Sequence, residues 1–129
     1  MPQGFDWSRH VGGADRLKSR FHQVARAQMR RLADELGLEP GTYEIRSNKG
    51  GPAVSGEVTL HHETFYAQAS QPFGGGQGLL LRTCEGQRDY VGGRNTFAPL
   101  AMLDDIPALA DRIRDIAPDV DRRRQPMMA

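Results

Sequence analysis

The chain has one cysteine, Cys84, in 129 residues, so an internal disulfide is excluded. A lone thiol is ordinary for a reducing compartment, and a cytoplasmic location is expected. No stretch approaches the roughly 18 consecutive apolar residues of a membrane helix, so no helical span and no membrane partner is expected. The opening MPQGFDWSRHVGG lacks a basic segment followed by an apolar one, and export is not expected. Lysine is nearly absent: Lys18 and Lys49 are the only two among 17 basic residues, the rest being arginine. Aromatics make up 7%. With no staple available, the fold has to rest on an apolar core, and a chain of this length can bury roughly two-thirds of the surface its unfolded form exposes.

Several chemical signatures are also missing. No Gly-Lys-Ser or Gly-Lys-Thr follows a glycine loop, no G-x-S-x-G elbow occurs, and no paired-carboxylate motif stands out. No cofactor and no metal is therefore expected, and nothing in the residues compels an enzyme.

What is present is a strong separation of charge behind a net charge of +1. Residues 9–31 carry Arg9, Arg16, Lys18, Arg20, Arg26, Arg30 and Arg31 against Asp15 alone. Residues 104–121 carry Asp104, Asp105, Asp111, Asp115, Asp119 and Asp121 against Arg112 and Arg114. One end of the chain is basic and the other acidic.

The periodicity divides the chain into three parts. From Asp15 to Leu36, the residues Leu17, Phe21, Val24, Ala25, Leu32 and Leu36 recur at steps of three and four, which predicts a helix with one apolar stripe. Gln28 falls inside that stripe, and Gly37 fits the left-handed position past a helix end. After Pro40-Gly41 the period becomes two. Tyr43–Arg46, Val54–His61, Phe65–Ala69 and Leu79–Cys84 read as four strands of an antiparallel meander joined by short turns, and Tyr90-Val91 is a candidate for a brief fifth. A short helix over Pro99–Leu103 is expected next. Asp105 then stands as a cap, Pro107 in a first turn, and Ile106, Leu109, Ala110, Ile113 and Ile116 on the buried stripe of a closing helix that Pro118 ends.

The expected fold is α+β in two layers: an N-terminal helix, a four-stranded antiparallel meander and a C-terminal helix, both helices on one sheet face and the other face open. Residues 15–118 form the domain, residues 1–14 an arm in which Phe5 and Trp7 dock, and residues 119–129 a frayed tail. The order of elements is similar to that of double-stranded RNA-binding domains. The resemblance is one of architecture only, since the closing helix here is acidic where theirs begins with a lysine cluster, and it transfers no residue.

Several stretches invite a functional reading. PFGGGQGLLL, residues 72–81, holds Gly74, Gly75, Gly76 and Gly78, but these precede a strand rather than the helix start that a phosphate cradle uses, so a hairpin tip is expected. In GQRDYVGGRN, residues 86–95, Arg88, Arg94 and Asn95 would contact an anion or a partner, whereas turn chemistry alone accounts for the same composition. His61-His62-Glu63 carries zinc-ligand types, yet adjacent strand residues point to opposite faces and no further ligands follow at a suitable spacing. Cys84 beside a histidine is a nucleophile candidate; a small buried side chain is the simpler expectation. On the open sheet face, Tyr43 or Tyr66 near Arg46 and Arg82 would stack single-stranded bases.

The first helix carries the strongest signal. Arg16, Arg20, Gln23, Ala27 and then Arg30 or Arg31 lie opposite the apolar stripe, spacing guanidinium groups along one face. Such a row suits the phosphates of DNA or RNA. It would equally be a solvated face, or pair with an acidic helix of the same chain or of a second copy. The expectation is a small nucleic-acid-binding accessory protein. The alternative is a protein-binding or inhibitory module, dimeric in one version, that uses the open sheet face and the glycine-rich loop. An enzyme with a pocket at residues 88–95 ranks last.

Overall fold

The computed structural model describes residues 5–72, 77–86, 89 and 93–120. Helix α1 (Asp15–Glu35) is followed by strands β1 (Tyr43–Asn48), β2 (Glu57–His62), β3 (Phe65–Ser70), β4 (Leu79–Thr83) and β5 (Thr96–Ala98), a 3-10 segment (Leu100–Asp104) and helix α2 (Ile106–Ile116). The sheet is a consecutive antiparallel meander in the order β1-β2-β3-β4-β5. An α+β architecture with helices at both ends thus holds, but among the described residues the sheet has five strands instead of four. The fifth is at Thr96–Ala98, where a helix approach was expected. Tyr90-Val91 lies outside the described residues. Strand β5 is too short for an alternating pattern to reveal it, and it exists because Leu79, Leu80 and Leu81 offer it a ladder.

One sheet face carries Val58, Leu60, Phe65, Ala67, Ala69, Leu79 and Leu81, all buried, and the two helices lie across it. From α1 come Phe21, Ala25, Met29, Leu32 and Leu36; from α2, Leu109, Ala110 and Ile113. Burying a leucine or phenylalanine side chain contributes roughly 1.5–3 kcal/mol, so this layer supplies the main driving force. Gln28 closes a polar gap in it: its Nε2 donates to the Leu103 carbonyl at 2.6 Å, tying α1 to the 3-10 segment. Phe5 and Trp7 pack on Phe21, with ring centroids 6.0 and 5.8 Å away.

The termini of the helices follow local chemistry. Gly37 takes φ 68° just beyond α1, where the amide of Leu38 donates back to the Ala33 carbonyl at 3.0 Å. Asp105 caps α2, its Oδ1 accepting from the Ala108 amide at 3.3 Å. Among the described residues, no helix is long and apolar enough to cross a membrane.

Candidate nucleic-acid interface

The apolar stripe of α1 faces the sheet, so the opposite stripe must face outward. Arg16, Arg20, Gln23, Ala27, Arg30 and Arg31 are all exposed. Arg20 Nη1 donates to Gln23 Oε1 at 3.0 Å, laying the side chain along the helix. Among the described residues, no α1 arginine takes part in an ion pair. The acidic helix lies beside α1, yet its contact with it is of another kind: Arg114 Nη2 donates to the Glu35 carbonyl at 3.3 Å, while Arg114 Nη1 pairs with Asp111 at 3.2 Å. Among the described residues, pairing of the basic row within the chain, one of the alternatives to phosphate binding, is thus not made, while a solvated face has the same exposure.

Two cations of the same segment have other work. Lys18 is buried, and its Nζ donates to the Gly51 carbonyl at 2.8 Å, while Arg26 Nη1 reaches Ser47 Oγ at 3.3 Å. Lys18 sits between Leu17 and Phe21 on the buried side, so the count of basic residues overstates what is free to bind.

The opposite sheet face carries a cross-strand row, Glu44–His61–Tyr66–Arg82, in which each residue is register partner of the next. The Arg82 guanidinium lies 4.1 Å from the Tyr66 ring centroid, His61 meets the same ring edge-on at 5.0 Å, and Tyr66 Oη donates to Gln68 Oε1 at 2.9 Å. Burial holds the His61 imidazole below its ordinary pKa and the Arg82 charge adds to this, opposed by backbone hydrogen bonds to Gly86 and Asp89. Tyr43 pairs with His62 and belongs to the helix-covered face, so it is no platform for bases. Tyr66 is 9% exposed, its ring shared between Arg82 and His61. Tyr66 and Arg82 are therefore brought together as partners of each other, on the far side of the sheet from the α1 row.

The remaining stretches resolve locally. Gly74, Gly75 and Gly76 lie outside the described residues, as do Arg88, Tyr90 and the tail 121–129. Gly78 is buried where a side chain would meet the Ser70 carbonyl and Leu100. Arg94 and Asn95 are exposed beyond the turn in which the Asp89 carboxylate accepts from the Glu85 amide at 2.9 Å. His61 and His62 point to opposite faces. His62 Nδ1 accepts from the Thr64 amide at 3.2 Å, and its ring tilts onto Phe65. Cys84 Sγ donates to the His62 carbonyl at 3.1 Å, and burial pushes its pKa up, the reverse of what an activated thiolate needs. A cleft of about 530 Å³ beside it is lined by Glu63, Glu85, Asp89 and Asp119 with no arginine or lysine among its described lining residues, which disfavours an anion there. Among the described residues, no cluster of three or more His, Cys, Asp or Glu side chains is arranged to hold a metal ion.

Comparisons with family models, curated proteins and solved structures find no match to this chain.

Proposed function

We propose that the protein binds the phosphate backbone of DNA or RNA through the outer stripe of α1, as a small accessory or regulatory factor rather than a catalyst. The observation that supports this is the exposure of Arg16, Arg20, Arg30 and Arg31 on one stripe, free of ion pairs among the described residues although an acidic helix is adjacent. Each guanidinium that neutralises a phosphate releases a condensed counterion, so the affinity is salt-dependent.

Fluorescence anisotropy with single- and double-stranded probes across a salt series tests it. The wild type is expected to bind with a linear fall of log affinity against log salt. Replacing Arg16, Arg20 and Arg30 together by glutamine should lower that slope by about three. Absence of binding by the wild type at low salt would reject the reading.

One observation favours a second reading. Phe97 is 48% exposed and stands opposite the half-buried Leu80 on the sheet face away from the helices. An apolar pair of this kind suits a protein partner, and Phe97→Ser would then abolish capture of that partner while leaving nucleic-acid binding as it was.

A further inference from the structure

The two edges of the sheet are finished differently. Strand β5 has three residues, runs into Pro99, and has its Phe97 carbonyl occupied by Arg112 Nη2 at 3.3 Å. These are common devices for closing an edge. Strand β1 has six residues with neither proline nor glycine among them. Its hydrogen bonds outside the sheet, from Arg26 to Ser47 Oγ and from the Gly50 amide to Asn48 Oδ1, end on side chains, and among the described residues nothing bonds to the outward backbone groups of the strand.

We propose that β1 pairs antiparallel with β1 of a second copy about a two-fold axis through Ile45, joining two five-stranded sheets into one. The charges choose this register. Glu44 and Arg46 lie on the same sheet face, 64% exposed for the arginine side chain and 50% for the glutamate, and within one chain they form a pair at 2.9 Å. Opposed residues of an antiparallel ladder share a face, so the allowed two-fold registers differ by steps that keep this alternation. Centring on Ile45 sets Glu44 against Arg46 of the second copy, twice by symmetry. Centring one residue earlier sets Glu44 against its own copy, and one residue later does the same for Arg46. Of the two registers that pair five residues of β1, those centred on Ile45 and on Arg46, only the Ile45 register is free of a like-charge pair at its centre; the registers centred on Glu44 or Ser47 pair only three. Opposite charges directly across a ladder stabilise it and like charges oppose it, so charge and length of overlap together favour the Ile45 register.

A two-fold axis between antiparallel edge strands stands perpendicular to the sheet, so both helix layers fall on the same face of the dimer. The two α1 stripes would then form one bivalent basic surface. That consequence rests on the phosphate-binding reading; the strand pairing does not.

Sedimentation velocity of the full chain at low salt, without nucleic acid, tests the pairing. The wild type is expected to show a concentration-dependent monomer–dimer equilibrium. Glu44→Arg places arginine against arginine, Arg46→Glu places glutamate against glutamate, and each should weaken dimerisation by about ten-fold or more. An equimolar mixture of the two variants restores both opposite-charge pairs and should associate about as strongly as the wild type. Circular dichroism on each variant verifies that it is folded, as expected for exposed positions. A wild type that stays monomeric at the highest concentration, variants that dimerise like the wild type, or a mixture that fails to associate would each overturn the proposal. Because no nucleic acid is present, these outcomes are independent of those in the anisotropy experiment.

Discussion

The Nε2 of His22 lies 2.8 Å from the carbonyl oxygen of Ser55, tying α1 to the segment between β1 and β2. The carbonyl can only accept, so Nε2 carries the proton and the neutral ring leaves Nδ1 as an acceptor. Nδ1 is buried with no hydrogen-bond partner among the described residues.

A pH dependence of stability follows from this arrangement. Burial, with the charges of Lys49, Lys18 and Arg26 acting in the same sense, holds the His22 pKa below its ordinary 6.5 against the Ser55 hydrogen bond. The unfolded chain therefore binds the proton more readily. The stability that the neutral ring contributes is complete above about pH 6.5 and is lost progressively as pH falls toward the lower folded-state value. His61 is shifted in the same direction, so it adds to the effect. Urea denaturation between pH 7.5 and 5.5 should show His22→Gln losing less stability than the wild type over that interval. Equal losses would show that His22 is not held neutral.

The Gly78 position separates close packing from ligand binding. A Cβ there would meet the Ser70 carbonyl and Leu100, whereas one on Gly51 would meet nothing. Gly78→Ala is expected to cost about 1–3 kcal/mol, the usual range for overpacking, and Gly51→Ala less than about 0.5 kcal/mol. Denaturant midpoints of the two variants check this. A stable Gly78→Ala protein would mean that β4 and the 3-10 segment do not approach as closely as described.

Cys84 should be a slow nucleophile. Its pKa is raised by burial, so iodoacetamide at pH 8 should alkylate it more slowly than a free cysteine, with the rate climbing at higher pH. Faster reaction than the free amino acid would return Cys84 to candidacy as a catalytic thiol.

Much of the layout could be read from patterns that concern neighbours in the chain. The 3.6-residue stripe placed α1, the period-two runs placed β1 to β4, though the run read from Val54 begins as a strand only at Glu57, and Asp105-Ile106-Pro107 placed the start of α2. The outward position of Arg16, Arg20, Arg30 and Arg31 followed from the same stripe, because opposite faces of a helix are determined by spacing alone. The shielding of Tyr66 by Arg82 and His61 had no such signal, since those three residues sit on three different strands and meet only when register is set. The same holds for Lys18 and Tyr43: a charge assigned to the basic segment proved to be an internal tether to Gly51, and a ring assigned to the open face proved to lie under the helices.

The amino-acid sequence by itself determined the two α-helices, the four longer strands and which helix face bears the arginines, because these depend on interactions within a few residues. Tertiary structure decided that Thr96–Ala98 is a fifth strand, that β5 is closed by Arg112 while β1 is bonded by no described residue on its outer edge, and that the basic row forms no ion pair with the acidic helix beside it. Those outcomes depend on backbone groups and side chains distant in sequence, and no local periodicity encodes where a ladder ends or which charges come within reach of one another.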